Sequence, residues 1–145
     1  DTCSASAASS LGRGSAMGTT TISGNTVGDS DDDDTFSTTL GSGCLGLGPD
    51  NFHQIYFEAG DVLTAGTTTP TPAYHIPLAI YEGRSCGSKL VCADIGLGGD
   101  PENLTYTATQ DGWVTIAVDG ALSGDVGDYT LTVSVTCTTQ SCCCF

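Results

Sequence analysis

Short β-type segments, separated by turn residues, follow one another along most of the chain. Val, Ile, Thr and Tyr dominate these segments, and Gly, Pro, Asp or Asn lie between them. Several alternate with a period of two, so that Tyr129, Leu131 and Val133 of DYTLTVSV share one face. No long window has the apolar stripe of an amphipathic helix. The pattern predicts an all-β, disulfide-stabilised antiparallel β-sandwich, like a jelly roll, of seven to eight strands.

The length of the chain predicts one domain with two tails. It has 145 residues, which is within the usual range of a single domain. Residues 1–18 are small and polar, so we expect an N-terminal arm there, and residues 137–145 form a Cys-rich C-terminal tail. The β-sandwich is expected to occupy residues 19–136.

Four of the β-type segments follow one another in a familiar order. They read GPDNFHQIYFEAGDVLTAG, IPLAIYEG, ENLTYTATQDGWVTIAVDG and GDYTLTVSV. Over about residues 19–136 the chain resembles the bacterial pre-peptidase C-terminal domain. The resemblance implies a β-sandwich that is usually non-catalytic and is carried by secreted proteins. It also implies that some members bind calcium or a polymeric substrate.

The charge of the chain excludes two classes of partner. Lys and Arg number 3 against 17 Asp and Glu, which gives a formal net charge of -14. Nucleic acid and anionic membrane surfaces both need a basic face, so we expect neither as a partner. No apolar run approaches the roughly 20 residues that a membrane span requires.

The number of cysteines indicates where the protein is located. Eight cysteines with no CxxC pair and only two histidines indicate a disulfide framework rather than a zinc site. Disulfides need an oxidising environment, so we expect the protein to be extracellular or at a cell surface. The chain also opens at DTCSAS, without an initiator Met or an apolar signal segment, as a processed secreted chain would.

Two disulfide pairs are predicted, one of them from spacing. Cys86 and Cys92 are six residues apart in a segment that reads as a turn, which predicts a local bridge, and Cys3 is predicted to pair with Cys44. The remaining cysteines are Cys137, Cys142, Cys143 and Cys144. An even count permits all eight to pair within the chain. Three adjacent cysteines point in divergent directions, however, so we predict at least one inter-subunit disulfide from the tail.

Acidic residues provide the candidate metal ligands. One group is the run GDSDDDDTF, which contains Asp29, Asp31, Asp32, Asp33 and Asp34. Carboxylates at this density suit calcium, which takes 6–8 oxygen ligands at about 2.3–2.6 Å. The alternative is a solvated acidic loop that keeps the protein soluble. Calcium is the cofactor that we predict.

A second acidic group lies in the Gly-rich stretch CADIGLGGDPEN. It contains Asp94, Asp100 and Glu102, which could wrap an ion. Asp often closes turns through its own backbone, so we expect only one or two ligands among the scattered acidic residues, which also include Asp50, Asp61, Asp119, Asp125 and Asp128. His53 and His75 have no ligand cluster beside them in the sequence, so we interpret both as surface or half-buried strand residues.

No group of residues predicts catalysis. GRSCG, which contains Ser85, matches the nucleophile motif G-x-S-x-G, but that motif needs a helix after it and a later histidine. We therefore interpret the segment as a tight turn and the protein as a non-enzyme. Asn103 begins the sequence Asn-Leu-Thr, an acceptor for N-glycosylation.

The sequence is compatible with two functions. The first is an extracellular structural subunit that self-associates into a filament or sheath, stabilised by disulfides and calcium. The second is a calcium-binding accessory module that attaches a secreted enzyme or a cell surface to a polymeric substrate. A row of exposed aromatic side chains on one sheet face would favour the second function.

Overall fold

The computed structural model describes residues 3, 9–13, 18–29, 44–68 and 73–137. These residues form nine strands, and no helix in this part of the chain is long and apolar enough to cross a membrane. The strands are β1 Ser9–Arg13, β2 Thr19–Asn25, β3 Asn51–Phe57, β4 Val62–Thr68, β5 Leu78–Glu82, β6 Lys89–Ala93, β7 Glu102–Thr107, β8 Gly112–Val118 and β9 Asp128–Thr136. The prediction of an all-β fold is confirmed.

Two sheets make up the sandwich. One has five strands in the order β1-β3-β8-β5-β6, and the other has four in the order β2-β9-β4-β7. β1 pairs with β3 in parallel, whereas the pairings among β2 to β9 are antiparallel. β6 and β7 are the edge strands of different sheets. The loop between them therefore crosses from one sheet to the other.

Apolar side chains from both sheets form one core between them. In β9, Tyr129, Leu131 and Val133 are buried and Val135 packs beside them, as the alternation predicts. Other members of the core are Ile55, Phe57, Leu63, Leu78, Ile80, Val114, Ile116 and Val118. Burial of one such side chain stabilises the fold by about 1.5–3 kcal/mol. This core accounts for the packing of the two sheets.

A second, smaller cluster lies on the outer face of the five-strand sheet. Its buried members are Cys44, Phe52, Ala79, Tyr81 and Ala117. In β5 these residues alternate with Leu78 and Ile80 of the main core, so the sheet is apolar on both faces. Cys3, Cys86 and Cys92 pack against this outer cluster. The N-terminal segment and the segment before β3 thus cover a face that would otherwise be exposed.

Both disulfides in the described part of the chain belong to this outer cluster. Cys3 pairs with Cys86, and Cys44 pairs with Cys92. The predicted pairs Cys86–Cys92 and Cys3–Cys44 are therefore wrong. Cys86 lies in the turn of the β5–β6 hairpin, whereas Cys92 lies three residues beyond Lys89, at the register position of Ala79. Cys92 is therefore separated from the turn that contains Cys86 by three strand residues, or about 10 Å. This distance exceeds the roughly 4.4–6.8 Å between the Cα atoms of a disulfide.

β1 lies in the segment that the sequence predicts as an arm without strands. Four of its five residues are exposed, and Leu11 is half-buried against the core. The strand therefore depends on backbone pairing with β3 rather than on apolar burial, which is why hydrophobic periodicity does not reveal it. In the tail, Cys137 is half-buried directly after β9, and residues 138–145 lie outside the described residues.

Candidate metal centre

Three segments bring potential metal ligands together at one end of the sandwich. His75 comes from the segment before β5, Asp94 directly follows β6, and Glu102 begins β7. One ligand atom from each residue lies within 4.8 Å of the others. We call these three residues the metal cluster. It joins the edge strands of both sheets, because β6 and β7 lie in different sheets.

His75 and Asp94 make the closest contact in the cluster. Nε2 of His75 lies 2.6 Å from Oδ1 of Asp94, whose side chain is only 4% exposed. Despite this distance, neither atom makes a contact with hydrogen-bond geometry to any residue that the structure describes. The other oxygen of Asp94, Oδ2, accepts a hydrogen bond from the backbone N–H of Leu45 at 2.7 Å. Oδ1 and Nε2 are thus two buried ligand atoms that face each other.

Glu102 is held against the loop backbone. Its side chain is buried, and it accepts hydrogen bonds from the N–H groups of Ile95 at 3.0 Å and Gly96 at 2.6 Å. A Cβ atom on Gly96 would lie 2.9 Å from Oε1 of Glu102 and 2.6 Å from Cβ of Asp100. Only glycine therefore fits at position 96 without displacing the carboxylate. A carboxylate has about four acceptor sites, so these amides leave capacity for an ion.

The structure places the predicted second acidic group only in part. Asp94 and Glu102 belong to the metal cluster, whereas Asp100 is exposed and accepts a hydrogen bond from the N–H of Leu97 at 3.1 Å. Asp100 therefore closes a turn. His75 is the member that sequence reasoning missed. In the β5–β6 hairpin Leu78 pairs with Ala93, so the residues before β5 lie beside those after β6. This register could have revealed that His75 lies near Asp94.

The first acidic group lies mostly outside the described residues. Asp31, Asp32, Asp33 and Asp34 are in that part, and Asp29 is half-buried and accepts a hydrogen bond from Nδ2 of Asn51 at 2.9 Å. Calcium binding by this run stays a prediction. The tail residues Cys142, Cys143 and Cys144 also lie outside the described part of the chain.

The match to a nucleophile motif has no structural support. Ser85 is exposed in the turn between β5 and β6, and a strand rather than a helix follows it. His53 lies on β3, as predicted for a strand residue, but it is buried rather than at the surface or half-buried, and its ring contacts Ser9 and Tyr129. Ser85 thus lies in the tight turn that the sequence predicts.

Aromatic side chains form a short row that two arginines cover. The rings of Tyr56 and Trp113 meet edge to face, with centroids 5.7 Å apart. The guanidinium of Arg13 lies 5.5 Å from the centroid of Tyr56, and that of Arg84 lies 4.6 Å from the centroid of Trp113. Tyr81, by contrast, is buried in the outer cluster. The arginines occupy positions over the ring faces that a polymeric ligand would need for stacking.

The candidate glycosylation site lies on an edge strand. Asn103 is an exposed residue of β7, at the register position of Gly66. Its side-chain oxygen lies 2.5 Å from where a Cβ atom of residue 66 would be, so Gly66 leaves room for it. Glycosylation at this residue stays a prediction.

The fold has known counterparts among solved structures. The pre-peptidase C-terminal domain of collagenase from Bacillus anthracis matches with a TM-score of 0.56 at 13% identity, over 89% of this chain and 94% of that one. A periplasmic inhibitor of g-type lysozyme from Aeromonas hydrophila matches with a TM-score of 0.55 at 9% identity, over 88% of this chain and 96% of that one. No family model and no curated protein matches the sequence.

The chain has the fold of a pre-peptidase C-terminal domain. The resemblance that the order of its segments indicates is thereby confirmed at the level of the fold. The two disulfides fit an extracellular location, because such bonds persist in oxidising compartments.

Proposed function

We propose that the protein is a non-catalytic extracellular β-sandwich domain in which a divalent metal ion, bound by the metal cluster, links the two sheets. The observation that carries this proposal is the short contact between Nε2 of His75 and Oδ1 of Asp94, which lacks hydrogen-bond geometry. Glu102 brings a second buried carboxylate to the same place. Two such carboxylates repel each other, and a cation between them offsets that repulsion.

The ligand set favours zinc or a similar transition metal at this cluster. Imidazole nitrogen together with carboxylate oxygen suits zinc, whereas calcium prefers oxygen alone. A tetrahedral ion about 2.1 Å from each ligand separates ligand atoms by about 3.4 Å. Small side-chain shifts reach that spacing from the present positions, which lie within 4.8 Å of one another. Calcium is proposed separately, for the acidic run from Asp29 to Asp34.

Burial of the two carboxylates supports a structural role rather than a catalytic one. The side chain of Asp94 is 4% exposed and Glu102 is 1% exposed, which leaves a substrate little access to them, whereas the side chain of His75 is 22% exposed. A bound ion would connect the segment before β5, the end of β6 and the start of β7. Cys92, two residues before Asp94, is bonded to Cys44, and Leu45 donates to Asp94. Metal and disulfide would therefore hold the same segments.

For the larger role of the domain we propose a subunit of a filament or sheath. The attachment of β1 supports this role, because a parallel strand and the Cys3–Cys86 disulfide bind an otherwise polar arm to the edge of the five-strand sheet. The alternative is an accessory module for a polymeric substrate, which the fold of the collagenase domain supports. The arginines over Tyr56 and Trp113 count against that alternative.

Metal titration of the full chain tests the proposed site. After removal of metal with a chelator, zinc should bind with one-to-one stoichiometry and raise the thermal midpoint, because it binds the folded state only. His75→Gln should weaken zinc binding by at least about tenfold, because losing a direct ligand costs no less than losing a residue that only orients one. His53→Gln is the matched control, since His53 is the other histidine and lies outside the cluster.

Three results would decide against the metal cluster. One is the absence of zinc binding to the folded protein. Another is equal zinc affinity in the wild type and in His75→Gln. The third is a loss of affinity in His53→Gln as large as that in His75→Gln, which would locate the ion elsewhere.

A further inference from the structure

β1 is joined to the sandwich in a way that differs from the other strands. Among the described strands it is the outermost of the five-strand sheet, and its one pairing there is with β3. Its parallel register places Ser9 at His53 and Arg13 at Tyr56, with an irregularity between Ser10 and Arg13. Strands β2 to β9 form a complete antiparallel sandwich without it. β1 is therefore an addition to an edge rather than a part of the core.

Within the described part of the chain, the side chains of β1 contact segments that are distant in sequence. Arg13 forms an ion pair with Glu58 at 2.7 Å and lies over the ring of Tyr56. Ser9 hydrogen-bonds to His53. Each of these partners lies on β3 or directly after it. Nothing in the contacts requires β1 and β3 to belong to the same copy of the chain.

A disulfide provides the covalent link of this segment. Cys3 is bonded to Cys86, which lies in the half-exposed turn between β5 and β6. The connection to the rest of its own chain is short, since residues 14–17 alone lie between β1 and Gly18. From Arg13 to Gly18 the chain spans at most about 18 Å. A neighbouring copy in direct contact lies within that reach.

We infer that Cys3 and β1 together act as an exchange segment, which in the assembled protein pairs with Cys86 and β3 of the next copy. The inference rests on the proposed assembly into a polymer. The same contacts form within one chain or between two, so the exchange costs little free energy beyond that of association. Such a contact is heterologous, and when it does not close into a ring it extends as a fibre.

The exposure of β1 agrees with this partner, whereas the charge of the chain opposes the close approach of two copies. Four of the five residues of β1 are exposed, so withdrawing the exchange segment from its own chain removes Leu11 from the main core and Cys3 from the outer cluster. An empty β3 edge would be open to pairing with any other strand, and the exchange segment of the next copy covers it. Copies with a formal charge of -14 repel one another. Specific pairing and a covalent bond overcome that repulsion.

Isotope labelling distinguishes exchange from pairing within one chain. Equal amounts of isotopically heavy and light protein are reduced, unfolded, mixed and refolded under oxidising conditions at a concentration that permits assembly. Proteolysis without reduction, followed by mass spectrometry, then gives the composition of each disulfide-linked peptide pair. If the segment exchanges, half of the Cys3–Cys86 peptide pairs should contain one heavy and one light peptide. The other half should be heavy–heavy and light–light pairs together. Cys44–Cys92, whose Cys44 is buried, is the internal control and should remain unmixed.

Electron microscopy of the same sample separates the two proposals. Polymers with unmixed Cys3–Cys86 pairs would overturn the exchange and leave the assembly standing. Monomers with unmixed pairs would overturn both. Equal mixing in Cys44–Cys92 would show random thiol exchange and would also count against the exchange segment. Polymers whose Cys3–Cys86 pairs alone are mixed are the expected result.

Discussion

Nε2 of His53 lies 2.8 Å from the hydroxyl of Tyr129, and this contact joins the two sheets inside the sandwich. On its other side the imidazole hydrogen-bonds to Ser9 of β1. The residue is 6% exposed. Burial lowers the pKa of His53 from an ordinary value of 6.5 to about 4, because the charged ring would lose its hydration. His53 is therefore neutral in the folded protein at neutral pH.

This pKa predicts a loss of stability in mild acid. With a folded pKa below the unfolded one, the unfolded chain binds the proton first as the pH falls. The contribution of His53 is complete above pH 6.5 and declines until about pH 4, where the folded ring protonates as well. The full loss is about 3 kcal/mol. Urea unfolding at pH 7.5 and 4.5 measures most of it.

His53→Gln provides the control for this measurement. Carboxylates also begin to titrate near the lower pH, so the difference between wild type and variant isolates the imidazole. Between pH 7.5 and 4.5, the free energy of unfolding should decrease in both proteins. We expect the decrease to be about 2–3 kcal/mol smaller in His53→Gln than in the wild type. A parallel fall in both proteins would show that His53 is not the group responsible.

A second prediction concerns the close approach of Gly24 to Tyr129. A Cβ atom on Gly24 would lie 2.2 Å from Cζ and 2.3 Å from the hydroxyl of Tyr129, a buried side chain. Gly24→Ala should therefore destabilise the protein by about 1–3 kcal/mol, as overpacking does. Gly112→Ala is the matched control, because Gly112 also lies in a strand but has nothing within 4 Å of its Cβ position. Equal unfolding midpoints for the two variants would contradict the contact.

A third prediction links the disulfide Cys44–Cys92 to the metal cluster. Replacing both cysteines by Ala should lower the free energy of unfolding by about 2–5 kcal/mol. It should also weaken zinc binding, because Leu45, next to Cys44, donates to Asp94. Replacing Cys3 and Cys86 by Ala is the control: it should also destabilise the fold but leave zinc affinity unchanged. Calorimetric titration of both variants gives the comparison, and equal zinc affinities would show that the disulfide does not support the cluster.

Eight of the nine strands follow from local patterns in the sequence. Alternation in β8 and β9 identifies the faces that meet in the main core, because apolar residues two apart share one side of a strand. β1 does not follow from any such pattern, since its sequence SSLGR offers Leu11 as its single apolar side chain. Its strand conformation depends on the free edge of β3, a tertiary property.

The metal cluster follows from the sequence only in part. Asp94 and Glu102 belong to a local acidic stretch, so spacing in the sequence points to them. His75 is 19 residues before Asp94, and only the pairing of β5 with β6 brings them together. The disulfides are also hard to predict from the sequence. Cys86 and Cys92 are near in sequence, but Cys86 lies in the turn of the β5–β6 hairpin and Cys92 lies further along β6, so they do not pair. Long-range contacts of this kind need the register of the sheet.

A fourth prediction concerns calcium and the acidic run. If Asp29 to Asp34 bind calcium, adding calcium should raise the thermal midpoint of the wild type, because the ion binds the folded or assembled form. Replacing Asp31, Asp32, Asp33 and Asp34 by Asn should remove that increase. His75→Gln should keep it, since the metal cluster is a separate site. An unchanged midpoint of the wild type in excess calcium would show that the run is a solvated loop.

The last prediction concerns the tail cysteines Cys142, Cys143 and Cys144. β9 ends at Thr136, and the residues from Cys137 to Cys142 could carry the tail at most about 18 Å from the sandwich. That reach extends to an adjacent copy, so we expect at least one inter-subunit disulfide from the tail. Non-reducing electrophoresis of denatured protein should show a ladder that reduction collapses to the monomer. A variant in which the three tail cysteines are replaced by Ser keeps Cys3 and Cys86, which are proposed to link copies as well. In that variant only the bands that depend on the tail should disappear. A ladder of unchanged intensity in that variant would assign every rung to other cysteines and leave the tail without an inter-subunit bond.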